Sequence, residues 1–95
     1  MGFPQQTART FTKASIESIK PGTIGVYGIF RNQGPWIYVG RGDIRERLLV
    51  HLDGDNSCIT SQNPTHYMDE ITSNDVAREK QLIVELQPAC NKKVG

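Results

Sequence analysis

The chain is 95 residues long, 37% hydrophobic and 22% charged, with a formal net charge of +1. That length supports a single domain with a modest core, burying roughly 60–65% of its unfolded surface. No apolar run approaches membrane-spanning length and no signal-peptide core is expected, while the near-neutral charge neither demands nor forbids a nucleic-acid partner.

In chain order, Met1 to Thr10 is mostly polar and is expected to fray. Thr12 suits the cap of a short helix holding Ser15 to Ile19, which must end before Pro21-Gly22; its Ile16 and Ile19 are spaced to rest on a core. Residues 1–20 thus read as an N-terminal segment ahead of the domain proper, 21–95. Ile24 to Phe30 and Trp36 to Val39 are rich in β-branched and aromatic residues. They flank Arg31-Asn32-Gln33-Gly34-Pro35, so the pair reads as an antiparallel hairpin. With Arg31 to Gly34 as the loop, Tyr27 falls opposite Tyr38, Gly25 opposite Gly40 and Ile29 opposite Trp36, all on one face. Glycines inside strands need a reason, and close approach of a ligand backbone is one. An ordinary aromatic cross-strand pair is the alternative reading of the two tyrosines.

Beyond the hairpin, Asp43 followed by Glu46 resembles a capping box, opening a helix through Leu52 with Gly54 at its exit. Asp53 to Asn63 reads as a polar loop and His66 to Thr72 as a third strand. Asp75 to Leu86 reads as a second long helix, capped by Ser73 or Asn74 and terminated by Pro88. Cys58 and Cys90 are far apart and lack CxxC spacing, so reduced thiols in a cytoplasmic chain are expected. Cys58 and His66 do not complete a tetrahedral ligand set, and structural zinc is not expected.

The two long helices carry the informative placements. In the first, Ile44, Leu48 and Leu52 recur every four residues as a buried stripe, with Leu49 beside it. Arg47 and His51 are also four apart at the edge of that stripe, either as a solvated pair or facing what the sheet displays. In the second, Val76, Leu82, Ile83 and Leu86 form the apolar face, and Glu79 falls near its middle. An unpaired buried carboxylate costs several kcal/mol or more, so Glu79 is expected either to pair with a cation such as Arg47 or to bind a metal.

These residues resemble the motifs of the GIY-YIG endonuclease superfamily. Its two signature triplets correspond to Gly25-Val26-Tyr27 and Tyr38-Val39-Gly40, ten residues apart, with valine for isoleucine in both. The resemblance continues through Asp43-Ile44-Arg45-Glu46-Arg47-Leu48-Leu49-Val50-His51, similar to the helix that carries the family's essential arginine. It runs on through Glu79-Lys80-Gln81-Leu82-Ile83, at the place of the metal-binding glutamate, and ends in Pro88-Ala89-Cys90-Asn91. Five elements in the right order are far more specific than either triplet alone.

The resemblance implies an α/β sandwich (α+β) with a three-stranded antiparallel sheet flanked by helices. It implies an endonuclease hydrolysing phosphodiester bonds in DNA, RNA not excluded, with one Mg²⁺ or Mn²⁺ held by Glu79. Tyr27, Tyr38, Arg47, His51 and Glu79 become the expected catalytic residues, and Gly25, Gly40, Arg41 and Asn91 the expected substrate-binding ones. Asn91 alone reads equally as a buttress or a helix-exit cap. Arg47 would offset charge developing on the phosphate. Tyr27 is the family's usual base, yet free tyrosine titrates near about 10, and His51 has the better intrinsic pKa; both stay open. A catalytically silent fold that binds nucleic acid or protein is the second reading. The chain has no room for a separate targeting domain, so a partner protein supplies targeting, or binding relies on the site itself. Repair, mobile-element and restriction roles all remain open.

Overall fold

The computed structural model describes residues 2–91. The chain runs β1 (Arg9–Thr10), α1 (Lys13–Glu17), β2 (Ile24–Phe30), β3 (Trp36–Asp43), α2 (Ile44–Leu52), α3 (Ser57–Ser61), β4 (His66–Ile71), α4 (Asp75–Leu86) and a 3₁₀ turn (Ala89–Asn91). The architecture is α+β, and among the described residues the sheet has four antiparallel strands in the order β1-β4-β2-β3. The expected three strands are therefore corrected to four. The addition, β1, spans two residues, Arg9 and Thr10, beside Tyr67 and His66, too short to leave an alternating pattern.

Nor is the segment before β1 frayed. Gln6 grips the Asp69 backbone at both ends of its amide, donating to the carbonyl at 2.8 Å and accepting from the N–H at 3.1 Å. Phe3 packs on Trp36 with ring centroids 5.4 Å apart, and Trp36 also packs on Phe30 at 4.9 Å, which gives that tryptophan a packing role.

The hairpin forms, but its register differs from the expected one. Tyr27 pairs with Gly40, Gly25 with Gly42, and Ile29 with Tyr38. Two separate one-residue displacements produce this: β3 starts at Trp36 opposite Phe30, and a bulge between Ile29 and Phe30 inserts Ile37. Either displacement alone would turn Tyr38 to the opposite face, whereas together they restore it. Tyr27 and Tyr38 thus still share a face, diagonally, with centroids 6.3 Å apart.

That face carries the main core of Ile16, Tyr27, Ile29, Ile37, Ile44, Leu48, Ile59 and Tyr67 beneath α1 and α2. The other face packs Val26 and Val39 against Leu82, Ile83 and Leu86 of α4, with Phe3. Asp43 caps α2 as expected, accepting from the Glu46 N–H at 3.1 Å. The buried stripe of α2 is Ile44, Leu48 and His51, while Leu52 is 36% exposed. A 3.6-residue period explains the change: two steps of four in succession drift off the face, and an i, i+4, i+7 set stays on it. Val76 is likewise 49% exposed, which leaves Leu82 as the buried residue of α4.

The loop expected over Asp53 to Asn63 holds α3, capped by the Asn56 side chain. Cys58 in α3 is disulfide-bonded to Cys90, so the expected reduced pair is corrected. The fold brings their Cα atoms to 5.8 Å across a sequence separation of 32. The cytoplasmic expectation loses the support it drew from reduced thiols. Among the described residues no helix is long and apolar enough to cross a membrane.

Candidate active site

β3 is an edge strand of the sheet, and the expected catalytic residues gather at it from both sides. From the α2 face come Tyr27, Tyr38, Arg47 and His51. Tyr27 is 1% exposed and His51 3% exposed, with the Tyr27 hydroxyl 2.8 Å from His51 Nε2. The Tyr38 ring meets His51 edge-on with centroids 5.0 Å apart, and the positive charge of Arg47 acts on the Tyr27 phenol. From the α4 face comes Glu79, whose charge acts on both phenols. The site therefore straddles a strand edge and is not confined to one face of the hairpin.

Glu79 is not paired with Arg47 as one expectation had it. Its carboxylate lies 3.5 Å from Arg41 Nε, and Asp75, one turn earlier on α4, lies 3.4 Å from Arg41 Nη1. Arg41 reaches that side because β3 alternates: Tyr38 and Gly40 face α2, whereas Val39 and Arg41 face α4. The Glu79 side chain is 24% exposed, at the margin of the apolar face.

The glycines do not clear space for a ligand. A Cβ on Gly40 would run into the Tyr27 hydroxyl and ring and would lie 2.9 Å from Tyr38 Cε2; a Cβ on Gly25 would meet the Glu70 carbonyl of β4. Gly40 thus lets the Tyr27 phenol lie across β3, and Gly25 lets β4 approach β2. Gly40→Ala should displace Tyr27 and destabilise the fold by about 1–3 kcal/mol, as overpacking does. Chemical denaturation of parent and variant measures this, and equal stability would mean that the phenol lies elsewhere. Asn91 also has an internal role: its amide accepts from the Val39 N–H at 2.7 Å and donates to the Val39 carbonyl at 2.9 Å. It clips β3 between Tyr38 and Gly40, the buttress reading, with both ends of the amide engaged.

Burial, and then Tyr38, push the Tyr27 phenol far above the ordinary tyrosine range, and the adjacent Arg47 offsets only part of this. Tyr38 is raised by burial and then by Glu79. Burial lowers His51, with Asp55 pulling the other way. The neighbouring Tyr27 phenol raises Arg47, which stays charged. Stability should therefore fall at both ends of the pH scale. The contribution of neutral His51 is present above 6.5 and lost as pH falls through its lowered folded value. The contribution of the neutral phenols is present below 10.0 and lost as pH rises above it. Thermal melts across the range test this, and an acid limb unaltered in His51→Gln would contradict it.

One residue of the cluster was missed from sequence. Asp55 Oδ1 is 2.9 Å from His51 Nδ1, on the side away from Tyr27. The signal was there, since His51 and Asp55 are four apart at a helix end. Asp75 was likewise passed over as a first-turn acid of α4.

Among the described residues no group of three or more His, Cys, Asp or Glu side chains is arranged to hold a metal ion. A divalent ion here would rest on Glu79 as its one protein carboxylate, with water and phosphate oxygens completing the shell. Partly exposed Glu79 fits that manner of Mg²⁺ binding. Asp75 would keep Arg41 paired if Glu79 took an ion. Compared with known proteins, the chain matches no family model, no curated protein and no solved structure.

Proposed function

We propose that this protein is a metal-dependent endonuclease that hydrolyses phosphodiester bonds in DNA, a member of the GIY-YIG superfamily that its motifs resemble. The observation that carries the reading is the buried 2.8 Å pairing of the Tyr27 hydroxyl with His51 Nε2, with the positive charge of Arg47 acting on the same phenol. A structural aromatic pair needs no buried imidazole hydrogen-bonded to its oxygen.

In this mechanism Tyr27 works as a relay. Its raised pKa rules out a standing phenolate near neutral pH, so it must take a proton and give one together. A water proton moves to the Tyr27 oxygen as the Tyr27 proton moves to Nε2 of neutral His51. The water oxygen attacks phosphorus, and the bond from phosphorus to the leaving oxygen breaks. Arg47 holds the phosphate and stabilises its developing charge. Tyr38, partly exposed beside Arg47, orients water or phosphate. Glu79 would hold a Mg²⁺ or Mn²⁺ ion, which would supply Lewis-acid stabilisation of the phosphate. Both candidates for the base thus have a part, with His51 the final acceptor.

The test is cleavage of labelled duplex DNA, branched DNA and RNA by the purified protein, with and without Mg²⁺ or Mn²⁺. Metal-dependent DNA cleavage supports the reading; no cleavage of any substrate overturns it. With a net charge of only +1, the chain alone should bind DNA weakly and release it as salt rises. A protein partner would then provide targeting. One observation favours the catalytically silent module: Arg41 pairs with both Asp75 and Glu79, where a metal would otherwise sit. Metal-independent DNA or protein binding without cleavage would select it.

A further inference from the structure

We propose that Asp55 is a positioning residue that holds the His51 ring in the tautomer whose Nε2 can accept the Tyr27 proton, a role that rests on the nuclease reading above. The argument is one of donors and acceptors. Neutral imidazole carries one proton, and each of its nitrogens has one close polar neighbour: the Tyr27 hydroxyl at 2.8 Å and Asp55 Oδ1 at 2.9 Å. An ionised carboxylate only accepts, so the imidazole proton belongs on Nδ1. The opposite tautomer would set two lone pairs against each other at that distance.

Donation therefore runs from Tyr27 to His51 to Asp55. The remaining neighbour of the ring, Tyr38, meets it edge-on and does not compete for either nitrogen. When the Tyr27 proton arrives on Nε2, His51 becomes an imidazolium. Asp55 then faces its positive charge and, being solvent-exposed, links a buried ring to bulk water. No further co-reactant is required.

Asp55 is also held in place. Its N–H reaches the Val50 carbonyl at 3.4 Å, and the next residue, Asn56, caps α3 through the N–H groups of Cys58 and Ile59. The Cys58–Cys90 bridge then fastens α3 beside the Asn91 clip on β3. The competing account is an ordinary surface His–Asp pair at a helix end, worth little to either stability or chemistry.

The deciding measurement is long-range proton–nitrogen NMR of ¹⁵N-labelled protein above the titration of His51, with His66→Gln used for assignment. The expected result is a protonated Nδ1 and an unprotonated Nε2 on His51. In Asp55→Ala the Nε2–H tautomer should gain population, while Asp53→Ala, which makes the same charge change nearby, should leave the ring as it is. An Nε2–H tautomer in the parent, or an unchanged ring in Asp55→Ala, overturns the proposal; if Asp55→Ala does not fold, the tautomer of the parent decides alone. On DNA, Asp55→Ala should lower kcat about 10–100-fold with KM unchanged, a smaller loss than for a buried triad aspartate because Asp55 is exposed. A parent with the expected tautomer that cuts nothing sinks the nuclease reading, while the positioning of His51 by Asp55 stands.

Discussion

Glu79→Ala should abolish DNA cleavage and leave the fold nearly as stable as before. If Glu79 holds the divalent ion, its removal takes away Lewis-acid stabilisation of several kcal/mol, a loss on the order of 10³-fold or more in rate. The stability side follows from the partner found in the structure. Had Glu79 been bound to a buried Arg47, its loss would strand a charge at a cost of about 3–5 kcal/mol. Its neighbour is instead Arg41, largely exposed and also paired with Asp75. Breaking a pair of that kind costs about 1 kcal/mol or less, and the melting temperature should fall by less than about 8 °C. Thermal melts and single-turnover cleavage of the same preparation, with and without Mn²⁺, check both halves. Full cleavage by Glu79→Ala would remove the glutamate from the chemistry. A collapse in melting temperature without metal would make it a structural ion-pair residue.

The parts of this fold that were readable from sequence are those written by local chemistry. Asp43 announces α2 because a short carboxylate satisfies an orphan N–H at a helix start, and Asp75 to Leu86 is a helix to the residue because Pro88 stops it. What escaped was decided by contacts between distant segments. The bulge at Ile37 answers the packing of that side chain into the main core, which no turn rule contains. The short β1 exists because β4 offers it an edge. The disulfide depends on α3 and the last turn meeting, which their spacing in sequence does not disclose.

The candidate site divides the same way. Tyr27, Tyr38, Arg47 and His51 could be nominated one by one from motif and helical spacing. Their order as a chain of donors and acceptors required the register, because only Tyr27 opposite Gly40 brings its hydroxyl over β3 toward α2. Glu79 was found for a reason that was only half right. It was singled out as a carboxylate within an apolar face, whereas it stands at the margin of that face beside Arg41. Gly25 and Gly40 were recognised as places of close approach, but what approaches is the protein itself.

Tyr27→Phe should lower the single-turnover rate by about 10²–10⁴-fold, the range for a positioned proton-transfer group. The ring stays, so its packing over Gly40 and Ile29 is kept. Stability should nonetheless fall by about 1–3 kcal/mol, because His51 Nε2 is left buried without its partner. Rates must therefore be compared well below the melting temperature of the variant. Tyr38→Phe makes the same atomic change on a partly exposed ring, and should cost less in both stability and rate. The contrast between the two phenols separates a relay from general crowding of the site. The stronger discriminant is the double variant Tyr27→Phe with His51→Gln. Two independent contributions would multiply their losses, whereas two members of one proton path lose that path once, and the pair should be little worse than the poorer single variant. Multiplied losses would mean that Tyr27 and His51 act separately, and parent-like cleavage by Tyr27→Phe would remove the phenol from the mechanism altogether.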